Sequence, residues 1–262
     1  MLGAVGTISN QVETVTTRLP ARVRVDETPA HDGDRRNDVN IDQVEEALST
    51  AERAVAEGGG LVGTGFWRAV GAAKRDPGLV DRYASRIAEV DRRAFLGWAV
   101  FSVGAGVGTA LMALATLAGV ALIFWSYGLP DPWNGLVMLG GGGGVLVTTT
   151  HGLGHLAVGR LAGMRFTHWF VGSLSRPQPG VKVDYATYLR AGPRSRAWMH
   201  ASGALVTKIV PFMLLGLVLA GDFPSWAAWL LAAQGVLQII TDALWSVRMS
   251  DWKKFRREMS YR

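Results

Sequence analysis

The sequence predicts a mainly α-helical, polytopic membrane protein with about four transmembrane helices, a short β-hairpin between the second and third, and a partly disordered soluble N-terminal segment. Three observations point there. First, 49% of the 262 residues are hydrophobic and only 18% are charged, and the apolar residues crowd into the C-terminal two thirds. Four stretches there, roughly 95–125, 135–163, 200–220 and 225–247, each reach the ~20 residues that span a ~30 Å hydrocarbon layer. Second, basic residues bracket these stretches unevenly. Arg92 and Arg93 precede the first, Arg165, Arg176, Lys182, Arg190, Arg194 and Arg196 separate the second from the third, and a basic tail follows the fourth, whereas 126–134 and 221–224 contain no Lys or Arg. By the positive-inside rule both termini are expected in the cytoplasm. Third, the tryptophans fall into two belts: Trp98, Trp169, Trp198, Trp245 and Trp252 near the inner boundary, and Trp125, Trp133, Trp226 and Trp229 near the outer one.

Charge and cysteine content narrow the function classes. Residues 1–93 carry 13 Lys+Arg against 15 Asp+Glu, and 94–262 carry 14 against 6, so the net +6 arises in the second part. These cations sit where membrane topology already requires them, which removes the need for a nucleic-acid partner; the expected partners are the lipid bilayer and transmembrane helices of other proteins. With no Cys there is no disulfide framework and no thiolate metal site. The first fifteen residues have neither a basic n-region nor an apolar h-region, so no secretory signal is expected.

Three regions follow in order. Residues 1–93 form the soluble, cytoplasmic segment. Thr7 to Val25 is rich in β-branched residues but broken by Pro20, and the polar stretch Glu27 to Asn40, which contains His31, is expected to be loose. Asn40 with Gln43 is a capping signal, and Ile41, Val44, Leu48 and Val55 keep helical spacing up to the glycines at 58–60. Asp76-Pro77 opens another helix with Leu79, Val80, Tyr83, Ile87 and Val90 on one side; it either lies on the membrane surface or packs on the preceding helix. Residues 94–247 are the four-span membrane domain. Residues 248–262 are a basic amphipathic tail with Trp252, Phe255 and Met259 on one side, suited to anionic lipid.

The chemistry centres on Thr148-Thr149-Thr150-His151-Gly152-Leu153-Gly154-His155. Imidazoles four apart share one helix face, near enough to hold one metal ion; alternatively they are neutral, hydrogen-bonded packing groups. The threonines either bond back to helix carbonyls or orient the histidines. Ionisable groups are costly inside a bilayer and so mark candidate sites. Counting 1.5 Å per residue from the inner basic residues places His151, His155 and Asp242 at one depth. Asp242 is the only carboxylate in a predicted span. It is either the third zinc ligand, beside an open fourth position, or the ion-pair partner of Lys208. His200, at the inner boundary, is an alternative ligand or an interfacial group like His168. Five glycines at 140–144 suggest close helix approach, with Gly140 and Gly144 at small-xxx-small spacing.

Over roughly residues 134–245 the chain resembles the site-2 protease family of intramembrane zinc metalloproteases, in order and topology more than in detail. His151-Gly152-Leu153-Gly154-His155 stands where the family has HExxH, with a Gly before the second His. Arg160 and Gly163 follow, then the alternating segments Phe166–Gly172 and Val181–Tyr185. Gly203-Ala204-Leu205-Val206-Thr207 stands where a Gly-Pro-x-x-Asn motif would be, and Asp242 where the family has its third zinc ligand. The resemblance implies a zinc site on His151, His155 and Asp242; Thr207, Lys208 and His200 are the expected supporting residues beside it. It also implies a loss: the family's general-base Glu is replaced by Gly152, and no Glu occurs between Val90 and Arg257. Only Asp184 and Asp251 remain as acids on the cytoplasmic side that could reach the site. Loss of a positioned base costs about 10²–10⁴-fold. The expectation is therefore a non-proteolytic membrane binding or regulatory protein that keeps its zinc; the alternative is an active metalloprotease, or another metal-dependent membrane enzyme, using a different base.

Overall fold

The computed structural model describes residues 41–172, 179–244 and 250–261. The expected loose segment 1–40, including Asn40 and His31, lies outside them.

Three helices open the described chain: α1 (Ile41–Ala56), α2 (Phe66–Ala73) and α3 (Pro77–Trp98). Asp76 caps α3 by accepting from Gly78 N at 2.8 Å, and Pro77 occupies the first turn, where its missing N–H costs nothing. The apolar stripes meet each other. Val44, Leu48 and Ala51 of α1 pack with Phe66, Ala69 and Val70 of α2 and with Leu79, Tyr83, Ile87 and Val90 of α3. The apolar side of helix α3 therefore packs on α1 and α2. On its polar side Arg86 pairs with Glu45 and Glu52. The same core continues past residue 93 to Met164, Tyr188, Leu189 and Met199. The buried carboxylate of Asp91 receives Lys182 Nζ at 2.6 Å, fastening α3 to the segment after the second span.

Strand β1 (Phe101–Gly104) follows α3, and α4 (Ala105–Ser126) follows directly. The first membrane-length helix thus begins at Ala105 and not near residue 95, because the apolar residues at 101–104 are used in a sheet. Strands β2 (Phe166–Val171) and β3 (Gly180–Val183) form the expected hairpin, and β1 adds to β2 in a three-stranded antiparallel sheet of order β1-β2-β3, with Phe101 opposite Val171 and Val103 opposite Trp169.

Helix α5 (Trp133–Met138), a π-helical stretch (Leu139–Leu146) and α6 (Val147–Leu161) run on without a break. After β3 come α7 (Tyr185–Arg190), α8 (Pro193–Ala220), α9 (Ser225–Leu244) and α10 (Asp251–Met259). Among the described residues three helices are long and apolar enough to cross a membrane: Ala105–Ser126, Trp133–Leu161 and Pro193–Ala220. The expected fourth, α9, is a 20-residue helix that carries Gln234, Gln238 and Asp242 among its apolar residues.

The five-glycine run lies in the π-helical stretch, where the wider turn presents successive glycines to different neighbours. A Cβ on Gly141 would come within 2.5 Å of Leu122 Cβ on α4, and one on Gly142 within 2.6 Å of Leu214 on α8, while Gly140 meets nothing within 4 Å. The close approach is thus at Gly141 and Gly142, not at the Gly140/Gly144 pair that small-xxx-small spacing suggests. Gly141→Ala should destabilise the protein by about 1–3 kcal/mol through overpacking. Gly140→Ala should be neutral or stabilising by up to about 1 kcal/mol from helix propensity. Thermal unfolding of both variants in detergent checks the contrast.

Candidate metal centre

Helix α6 carries both histidines. The three threonines before them bond back along the helix, Thr148 to Gly144 O, Thr149 to Val145 O and Thr150 to Leu146 O, so they do not orient the imidazoles. His155 is aimed instead by α8: its Nδ1 lies 2.7 Å from Met199 O. In the neutral ring this makes Nδ1–H the donor and leaves the Nε2 lone pair facing the site. His151 Nδ1 is buried with no hydrogen-bond partner, and its Nε2 lies 3.2 Å from His155 Nε2.

The third member is Asp251, at the start of α10. Its Oδ2 lies 3.3 Å from each histidine Nε2, and His151, His155 and Asp251 form the one potential metal-binding group of three among the described residues. Ser250 caps α10 by accepting from Lys253 N, fixing the first turn that presents Asp251. Burial works against ionisation of Asp251, but where the imidazoles are protonated, hydrogen bonds from His151 and His155, with the charges of His155 and Lys254, outweigh it and hold the carboxyl well below the usual range. Three electron-rich atoms converging at this spacing need a positive charge among them, whether protons on the imidazoles or a metal ion.

Asp242 is elsewhere. It forms an ion pair with Lys208, whose Nζ also donates to Ala204 O at 3.2 Å. Of the two expected roles of Asp242 the structure therefore has the ion pair: Lys208 holds its carboxylate, and Asp251, not Asp242, stands beside the histidines. Thr207 donates to Gly203 O and Ala204 O and does not reach the site. His200 Nε2 pairs with Tyr188 OH at 2.9 Å. Asp184 caps α7 by accepting from Thr187 N. Of the two acids that could reach the site, only Asp251 does so, and as a direct neighbour of both histidines.

Two glycines shape the centre. Gly203 on α8 lies against His155, and a Cβ there would overlap the imidazole and approach His151 O at 2.8 Å. Gly152, between the two histidines on α6, faces a different neighbour. A Cβ there would come within 2.5 Å of the Trp169 ring. That indole is 3% exposed and donates from Nε1 to Thr109 Oγ1 at 3.1 Å. Trp169 is thus a core residue beside the site, not a member of the inner tryptophan belt, and it fills the space a glutamate would need.

Helix α10 is held at its far end by Glu258. This fully buried carboxylate meets Lys74 Nζ at 2.5 Å and Arg196 Nε at 2.7 Å. Burial raises the cost of its charge, yet Lys74 and then Arg196 outweigh that and keep the carboxyl below its ordinary value. The tail expected to lie on lipid is therefore docked on α8, with Phe255 against Trp198 at 5.5 Å between ring centroids. Sequence reasoning missed this because Asp251 lies beyond the last predicted span; the Ser-Asp helix start was the available signal.

No family model, curated protein or solved structure matches the chain.

Gly203→Ala should displace His155 and weaken metal binding while α6 and α8 remain helical, as read by metal titration beside circular dichroism. Gly152→Glu should fold poorly, with a cost of about 1–3 kcal/mol or more from overpacking against Trp169. Adding Trp169→Ala should relieve that clash, so a double variant less stable than the sum of both single changes would contradict this packing.

Proposed function

We propose that the protein is an integral membrane protein that holds one zinc ion on His151, His155 and Asp251 and acts by binding or regulation, without peptidase chemistry. The observation that carries this is the donor triangle, with sides of 3.2, 3.3 and 3.3 Å. Ligands about 2.0–2.1 Å from a tetrahedral centre are about 3.3–3.4 Å apart, whereas octahedral geometry at such lengths brings neighbours to about 2.9 Å. The spacing and the two-imidazole, one-carboxylate donor set suit zinc with a fourth position left open. Zinc held there would supply a Lewis acid.

Loss of peptidase activity is supported by Gly152 and by the Trp169 ring against it, which deny the site a positioned base. The remaining nearby acid, Asp251, is engaged by both histidines. The reading of both termini as cytoplasmic comes from the basic residues that bracket the apolar stretches, and the fourth span would be α9, whose acid Lys208 offsets, beside the three apolar helices. Exposed Leu114, Leu117 and Phe124 on α4 and Met213 and Leu219 on α8 offer apolar faces to a lipid bilayer or to transmembrane helices of other proteins.

The purified protein should contain about one zinc per chain. Alanine at His151, His155 or Asp251 should reduce it to near background, and alanine at Asp242 or His200 should leave it in place. Zinc retained by Asp251→Ala, or absent from the parent, overturns the site. The natural protein should not cleave membrane-helix substrates; robust cleavage abolished by His155→Ala would make it an active protease.

Reporter fusions after Tyr127 and Phe223 should map outside the cytoplasm, and a fusion after Arg262 inside. A cytoplasmic reporter at Tyr127 would refute the four-span topology.

A further inference from the structure

The three donors of the metal centre do not belong to one rigid element. His151 and His155 are four apart on α6, whereas Asp251 arrives on α10, a nine-residue helix at the end of the chain. Helix α10 has two polar anchors. At its start Asp251 sits between the imidazoles, and seven residues on, about 10 Å along the axis, Glu258 is buried between Lys74 at the end of α2 and Arg196 on α8. Between these points Phe255 packs on Trp198, and Lys208 Nζ lies 5.8 Å from the Trp252 ring centroid. Tyr261, just past the helix, sits 5.4 Å from both Lys74 and Arg75.

We propose that α10 is a metal-dependent clasp: zinc at His151, His155 and Asp251 fastens α10 onto α8 and α2, so that metal occupancy controls how firmly the C-terminal helix joins the cytoplasmic bundle to the membrane domain. This rests on the metal reading above and goes beyond it in assigning the metal an output. An isolated nine-residue helix is marginal in water, so α10 depends on its anchors for its structure. Removing the metal leaves the carboxylate facing two imidazole nitrogens whose lone pairs oppose it unless they are protonated. With the imidazoles neutral, α10 is then held by Glu258 and by Phe255 on Trp198, without the Asp251 anchor. The coupling is reciprocal: whatever factor zinc contributes to docking of α10, docking contributes to zinc affinity. Glu258 touches no donor atom of the centre, so it is a positioning residue, acting through the placement of Asp251.

The test is hydrogen exchange over residues 250–261 of the full chain in detergent, with zinc and with chelator, beside zinc titration of the parent, Glu258→Gln and His155→Ala. Zinc should slow exchange in α10 of the parent by about tenfold or more, and should have no effect in His155→Ala. Glu258→Gln, with all three donors intact, should bind zinc about tenfold more weakly. The exchange comparison on the parent needs no substitution, so it decides the matter even where Glu258→Gln does not fold. If the parent binds zinc through His151, His155 and Asp251 but α10 exchanges equally fast with and without it, the clasp is wrong and the metal reading stands. If the parent binds no zinc, both fall together.

Discussion

Glu258 lies at 0% exposure between Lys74 and Arg196, and those contacts join three parts of the chain that are far apart in sequence: the end of α2, the start of α8 and the C-terminal helix. Arg196 extends the network by donating to Leu189 O and Ala191 O at the end of α7. Burying such charges is expensive, and deleting one member of a buried pair commonly costs about 3–5 kcal/mol because the other charge is left uncompensated. The network is a constraint on geometry more than a source of stability, since few arrangements satisfy a buried carboxylate with two cations from separate helices. Once α10 is held there, its first turn falls beneath the histidines of α6.

Around this charged point the apolar helices are assembled by close approach of small residues. Water does not drive helices together in lipid, so contact area has to come from backbone proximity. Gly108 and Gly152 lie on either side of Trp169, Gly119 faces Gly141, and Gly154 meets Gly203. Polar contacts add direction: Thr116 and Thr149 hydroxyls pair at 2.8 Å across α4 and α6, and Gln234 donates to Gly143 O at 3.2 Å across α9 and the π-helical stretch. The same packing explains the chemistry. Gly152 on α6 admits an indole, and Gly203 on α8 admits the His155 ring.

Much of the architecture was legible because it depends on local pattern. Periodic apolar residues and the Asp76-Pro77 start marked α1 and α3, hydropathy marked α4, the 133–161 helix and α8, and strand alternation marked β2 and β3. Strand β1 was not, since Phe101–Gly104 adjoins an apolar run and reads as its beginning; pairing with β2 separates the two. The histidine pair was legible from its four-residue spacing, and Lys208–Asp242 was identified as a possible pair from depth along the helices.

By itself, then, the sequence determined α1, α3, α10 and the long apolar helices, though not the short α2 and α7, and that two imidazoles share one face of α6, all consequences of residue order over a few turns. Tertiary structure alone decided which carboxylate meets those imidazoles. Asp242 and Asp251 are nine residues apart and chemically alike, and depth counting favours the first. The choice is made by how α9 and α10 pack on α8: Lys208 neutralises Asp242, while the burial of Glu258 by Lys74 and Arg196, residues 122 positions apart in the chain, carries Asp251 to the histidines. No local pattern encodes that outcome, because it follows from where separate helices can bury their charges together.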